Sequence, residues 1–101
     1  MSPTISALFQ EEPVRWGLRG DPWLWREMRE RFADTPTPAT VDELVEAVER
    51  MFEQLAGHPL SHPEPIFVER FDHGGMSGGM VAPEFWCNVA IPLLKRRFEE
   101  R

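Results

Sequence analysis

The chain has no tyrosine and one cysteine among its 101 residues. A lone thiol cannot close an internal disulfide. Within a largely apolar run, Cys87 reads as a small buried hydrophobe rather than a nucleophile. Basic residues are also short, with 11 Lys and Arg against 17 Asp and Glu and a net charge of −6. Nonspecific nucleic-acid binding needs a positive field, so the charge argues against it. The short basic run Lys95-Arg96-Arg97 fits the negative end of a helix dipole instead. No apolar stretch reaches membrane-spanning length. Met1-Ser2-Pro3-Thr4 lacks the basic and apolar regions of a secretion signal. Together these absences predict a cytoplasmic protein with neither membrane nor nucleic acid as a partner.

What is present suits one small globular domain over residues 1–101. The hydrophobic share of 42% is near the globular average, which predicts an ordered chain. Four Trp and seven Phe supply bulky rings for a modest core.

Ile5, Leu8 and Phe9 predict one helical turn docked on that core. From Pro13 to Gly20 the chain alternates. Val14, Trp16 and Leu18 fall on one side, the pattern of a half-buried strand. Asp21 is a candidate N-cap and Pro22 suits a first helical position. The helix they open reaches Phe32 or Ala33, with Leu24, Trp25, Met28 and Phe32 as its stripe. Trp23 falls off the stripe, either covering the strand or exposed. Arg19-Gly20-Asp21 also spells an adhesion tripeptide, which a strand-to-helix junction explains without that role.

After a proline-broken linker, Thr40 and Glu43 form a capping-box pattern. A helix then runs to Gly57 with Leu44, Val48 and Phe52 inward. Glu43, Glu46, Glu49 and Glu53 make a solvated acidic face. Ile66 to Phe71 reads as a strand that could pair antiparallel with residues 14–19. A third short strand at Met80-Val81 is compatible with the pattern. Pro83 opens the last helix, and Pro92 predicts a kink near Asn88–Ile91. The fold class expected is α+β, with three main helices packed on a small two- or three-stranded antiparallel sheet. The core expected is Trp16, Leu18, Leu24, Trp25, Met28, Phe32, Leu44, Val48, Phe52, Ile66, Val68, Trp86 and Leu93.

Between the second strand and the last helix lies Asp72-His73-Gly74-Gly75-Met76-Ser77-Gly78-Gly79-Met80, which holds four of the seven glycines. Met76 and Met80 are interleaved with them, which predicts an ordered loop with one or both thioethers pinned to the core. Gly75-Met76-Ser77-Gly78-Gly79 matches the nucleophile-elbow pattern. However, three residues separate it from the next helix, no histidine follows the serine, and the chain is too short for the hydrolase sheet. Glycine amides can cradle an anion, with Arg19 or Arg70 adding charge. The spacing matches no phosphate-binding fingerprint. His58, His62, Asp72 and His73 are zinc-type donors, but His58 and His62 each precede a proline and share no helix face. Asp72 and His73 are neighbours, so on a strand they point to opposite faces.

Trp16-Gly17-Leu18-Arg19-Gly20-Asp21-Pro22 with Trp25, and Asp72-His73-Gly74-Gly75-Met76-Ser77 through Met80, resemble a pattern found in a group of small uncharacterised bacterial proteins. Phe85-Trp86 and Ile91-Pro92-Leu93-Leu94 extend the resemblance over most of the chain. It implies a bacterial, cytoplasmic origin and carries over no catalytic residue.

Two functions compete. One is a non-catalytic protein-interaction module, antitoxin-, immunity- or adaptor-like, with a protein partner and no cofactor or metal. The other is a small-ligand or anion-binding protein or enzyme using loop 72–80, with Arg19, Arg70, Asp72, His73 and Ser77 around the ligand.

Overall fold

Thr40 sits in extended backbone and its hydroxyl accepts the Glu43 amide at 3.2 Å, as an N-cap should. The helix it starts is the longest in the computed structural model, which describes residues 3–69 and 79–101. In chain order the elements are a 3-10 turn (Ile5–Phe9), α1 (Asp21–Arg31), α2 (Val41–Ala56), β1 (Ile66–Val68) and β2 (Gly79–Val81). There follow α3 (Pro83–Phe85), a π-helical turn (Trp86–Ala90) and α4 (Ile91–Glu100). The α+β arrangement of helices on a small antiparallel sheet is the one the sequence predicts.

Gly57 ends α2 at φ 78°, a left-handed conformation that a side chain resists. Its amide donates to the Glu53 carbonyl at 2.9 Å. Leu44, Val48 and Phe52 are buried along the inner face, while Glu43, Glu46, Glu49 and Glu53 are exposed. Both halves of this reading hold.

The sheet differs from the expected pairing. β1 pairs antiparallel with β2 in the register Ile66↔Val81, Phe67↔Met80, Val68↔Gly79. Residues 13–20 form no strand. Val14 is 97% exposed, and Trp16 and Leu18 are half-buried. The reason is local. The Leu18 amide donates to the Asp21 carboxylate at 2.5 Å instead of to a neighbouring strand. At Gly17 a Cβ would lie 2.6 Å from the Phe85 Cβ. The segment is a turn pressed against α3.

Pro92 shapes the last helical column. It has no N–H to give to the preceding turn, so the ladder shifts ahead of it. The Ile91 amide donates to the Trp86 carbonyl, five residues back, and α4 restarts with Pro92 in its first turn. The distortion expected near Asn88–Ile91 is therefore a π-helical turn. Its outer side leaves Cys87 exposed, which corrects the expectation of a buried thiol. The Cys87 thiol lies 3.9 Å from the Leu60 carbonyl oxygen, and partial desolvation on that inner side, together with the Glu49 charge, pushes its pKa up.

The core is a stack of rings. Phe9 and Trp25 lie 4.7 Å apart, Trp25 and Trp86 6.1 Å, and Trp86 and Phe52 5.9 Å, by ring centroids. All four are buried, with Leu24, Met28, Leu44, Val48 and Leu94 filling the remainder. The docked N-terminal turn is present as expected. It is fixed by the Trp25 indole N–H, which donates to the Phe9 carbonyl at 3.0 Å. The Arg97 guanidinium donates to the Leu8 carbonyl at 2.6 Å. No described helix is long and apolar enough to cross a membrane.

Candidate functional site

In sequence the glycine-rich segment lies between β1 and β2. Arg70, Asp72, His73 and Ser77, and the expected anchoring of Met76, lie outside the described residues. The structure does place Arg19, the remaining member of that set. It is exposed, one residue before Gly20. The Gly20 amide donates to the Met80 carbonyl at 2.8 Å. A Cβ on Gly20 would fall 2.7 Å from that same oxygen, so glycine is required here for closeness. Trp23 covers Gly79, with its Cζ3 2.9 Å from where a Gly79 Cβ would stand. Trp23 thus covers a strand, as one of its two expected placements had it, but the strand is β2.

Asp21 lies beneath this junction. It is not the N-cap, which is Gly20; it is the first residue of α1 and its carboxylate turns inward. The side chain is fully buried. Oδ2 accepts the Leu18 amide, and Oδ1 accepts the Ala82 amide at 3.1 Å and the Trp86 indole N–H at 3.0 Å. Burial pushes the carboxyl above the usual range. The N–H donors of Leu18, Ala82 and Trp86 pull it back without cancelling that effect. A carboxyl shifted by burial is a catalytic candidate in principle. Here every contact is an internal donor, so the group ties the 16–21 turn, the start of α3 and Trp86 together. Among the described residues no buried side-chain nitrogen or oxygen lacks a partner.

The His58 and His62 rings lie against each other at a tilt of 59°, with centroids 4.9 Å apart. His62 Nδ1 lies 2.8 Å from the Glu64 carbonyl oxygen and 3.2 Å from the Glu64 amide. Among the described residues no group of three or more His, Cys, Asp or Glu could hold a metal. An open cleft of about 420 Å³ between the N-terminal turn and α4 includes Thr4, Glu11, Arg97 and Arg101 in its wall. Its Arg97 is already committed to Leu8, and its Arg101 Nε donates to the Phe98 carbonyl at 2.9 Å.

Among the described residues, the outside of the hairpin brings two exposed apolar side chains together as a cross-strand pair. Phe67 is 59% exposed and Met80, its cross-strand partner, 39%. Met80 is therefore not pinned to the core. Glu69, two residues from Phe67, marks that side as the wet one, a signal readable in the sequence. The pairing with Met80 was not readable, because β2 was expected to be a third strand rather than the partner of β1.

No family model, curated protein or solved structure matches the chain.

Proposed function

We propose that the chain is a non-catalytic protein-interaction module of the antitoxin, immunity or adaptor kind. It engages a protein partner through the outer face of the β1–β2 hairpin, next to the glycine-rich segment. The observation that supports this reading is the apolar Phe67–Met80 pair in solvent. An exposed aromatic beside a flexible thioether is the composition of an interface centre. Asp21, the buried carboxylate that could do chemistry, has its oxygens occupied by internal donors.

The test is a purified partner with a measured Kd. Immobilised chain captures candidates, each is purified, and binding is compared for wild type and Phe67→Ser. Loss of a central aromatic anchor weakens binding roughly tenfold or more. An unchanged Kd for every partner found would refute this surface. A thermal-shift screen of nucleotides, sugars and divalent metals should give no rise in Tm. A rise of several degrees with any of them would move the function to small-ligand binding.

A further inference from the structure

Phe67 shares the outer face of the hairpin with a residue that can be chemically changed. Cross-strand partners lie on one face of a sheet, so the Met80 and Phe67 side chains are neighbours. The three described methionines are graded by access. Met28 is fully buried, Met51 is half-buried against the core, and Met80 is 39% exposed. Thioether oxidation follows that access. Met80 also stands on fixed backbone: its strand is paired with β1, and its carbonyl accepts the Gly20 amide at 2.8 Å. A change at its sulfur therefore alters the surface and leaves the core alone. Cys87 is exposed too, but partial desolvation and the Glu49 charge disfavour the thiolate that a peroxide attacks.

We infer that Met80 is a reversible oxidation site through which a peroxide controls the apolar face of the hairpin. The sulfur gives a lone pair to one peroxide oxygen. The S–O bond forms as the O–O bond breaks. The displaced hydroxide takes the proton left on the transferred oxygen and departs as water. The thioether is oxidised by two electrons to a sulfoxide, and the peroxide is reduced by two. The sulfoxide oxygen is a polar acceptor, so burying it against an apolar partner strips it of water without replacement. Phe67 then loses its apolar neighbour. Because the modified side chain lies outside the core, the fold survives, and methionine sulfoxide reductases restore the thioether. The consequence for a partner rests on the docking reading above; the oxidation itself does not.

The test treats the purified chain, in a Cys87→Ser background, with hydrogen peroxide and maps the added oxygen by peptide mass. Met80 should be oxidised roughly tenfold faster than Met28, with Met51 between them. The Tm of the chain oxidised at Met80 should stay within about 1 °C of the untreated value. Its retention on a hydrophobic-interaction column should fall, and the reductases should restore it. Met80→Leu should show no such fall. For a purified partner whose Kd responds to Phe67→Ser, oxidation at Met80 should weaken binding roughly tenfold. Met80→Gln should imitate that loss, and Met80→Leu should keep its binding after peroxide. Met80 oxidising no faster than Met28 would overturn the inference. So would a Tm lowered by several degrees, a retention shift that persists in Met80→Leu, or a Kd unmoved by oxidation where Phe67→Ser moves it. If Phe67→Ser moves no Kd, the docking surface fails, and the mapping and the column still decide the oxidation site.

Discussion

The carboxylate of Asp21 accepts the indole N–H of Trp86 at 3.0 Å across 65 residues of sequence, with both side chains fully buried. The same carboxylate holds the Leu18 and Ala82 amides. Asp21→Ala leaves these N–H groups buried without an acceptor and should cost about 3 kcal/mol or more. Asp21→Asn should recover little, because its amide nitrogen would face a donor. Urea unfolding measures both, and a loss under about 1 kcal/mol would deny the carboxylate its structural role.

The pH dependence follows from the same group. Burial raises the folded-state pKa of Asp21 above its ordinary value of 3.8. Between those two values the folded state holds the proton that the unfolded state has released, so stability from this residue grows as pH falls. It is fully present below about 3.8 and is lost as pH rises through the folded pKa. The stability gap between wild type and Asp21→Asn should therefore widen as pH is lowered from neutral toward about 3.8. Urea midpoints at neutral pH and near pH 3.8 read this directly, and a narrowing gap would mean the hydrogen bonds outweigh burial.

Trp86→Phe keeps most of the contact with Phe52 and Phe85 but removes the indole donor. It should cost about 2 kcal/mol. In a double-mutant cycle with Asp21→Asn, a coupling of about 1 kcal/mol or more is expected. Strict additivity would show that the two residues act separately.

Two glycines should respond differently to alanine. At Gly57 nothing lies within 4 Å of a new Cβ, and only the positive φ resists, so Gly57→Ala should cost about 1 kcal/mol. At Gly20 the φ of −79° is ordinary but the Met80 carbonyl is in the way. Gly20→Ala should cost about 2 kcal/mol or more and loosen the turn from β2. Thermal unfolding ranks the pair, and Gly57→Asn should recover part of the Gly57→Ala loss while Gly20→Asn recovers none.

Helix α2 was legible because all its signals are local: the Thr40 cap, the three- and four-residue apolar steps, and Gly57. Pro92 likewise announced a break in the last helical column. The 13–20 stretch was misread because three alternating apolar residues are a weak pattern. What decides its shape is Asp21, whose partners Ala82 and Trp86 lie 61 and 65 residues away. That distance also explains why Asp21 looked like a cap. β2 has three residues, one of them glycine, and so little alternation to read. Of the expected site, only Arg19 is placed, at the rim of the junction between Gly20 and Met80. The outward turn of Phe67 was implicit in its spacing from Ile66, Val68 and Glu69.

The indole row Trp16, Trp25 and Trp86, with 6.1 Å between successive ring centroids, has an optical consequence. With no tyrosine in the chain, its near-ultraviolet absorption comes almost wholly from tryptophan. Transitions on chromophores this close mix, so the native molecule should show a strong exciton couplet in circular dichroism that collapses when the row is pulled apart. The protein carries its own spectral gauge of how tightly its centre is assembled, with no label added.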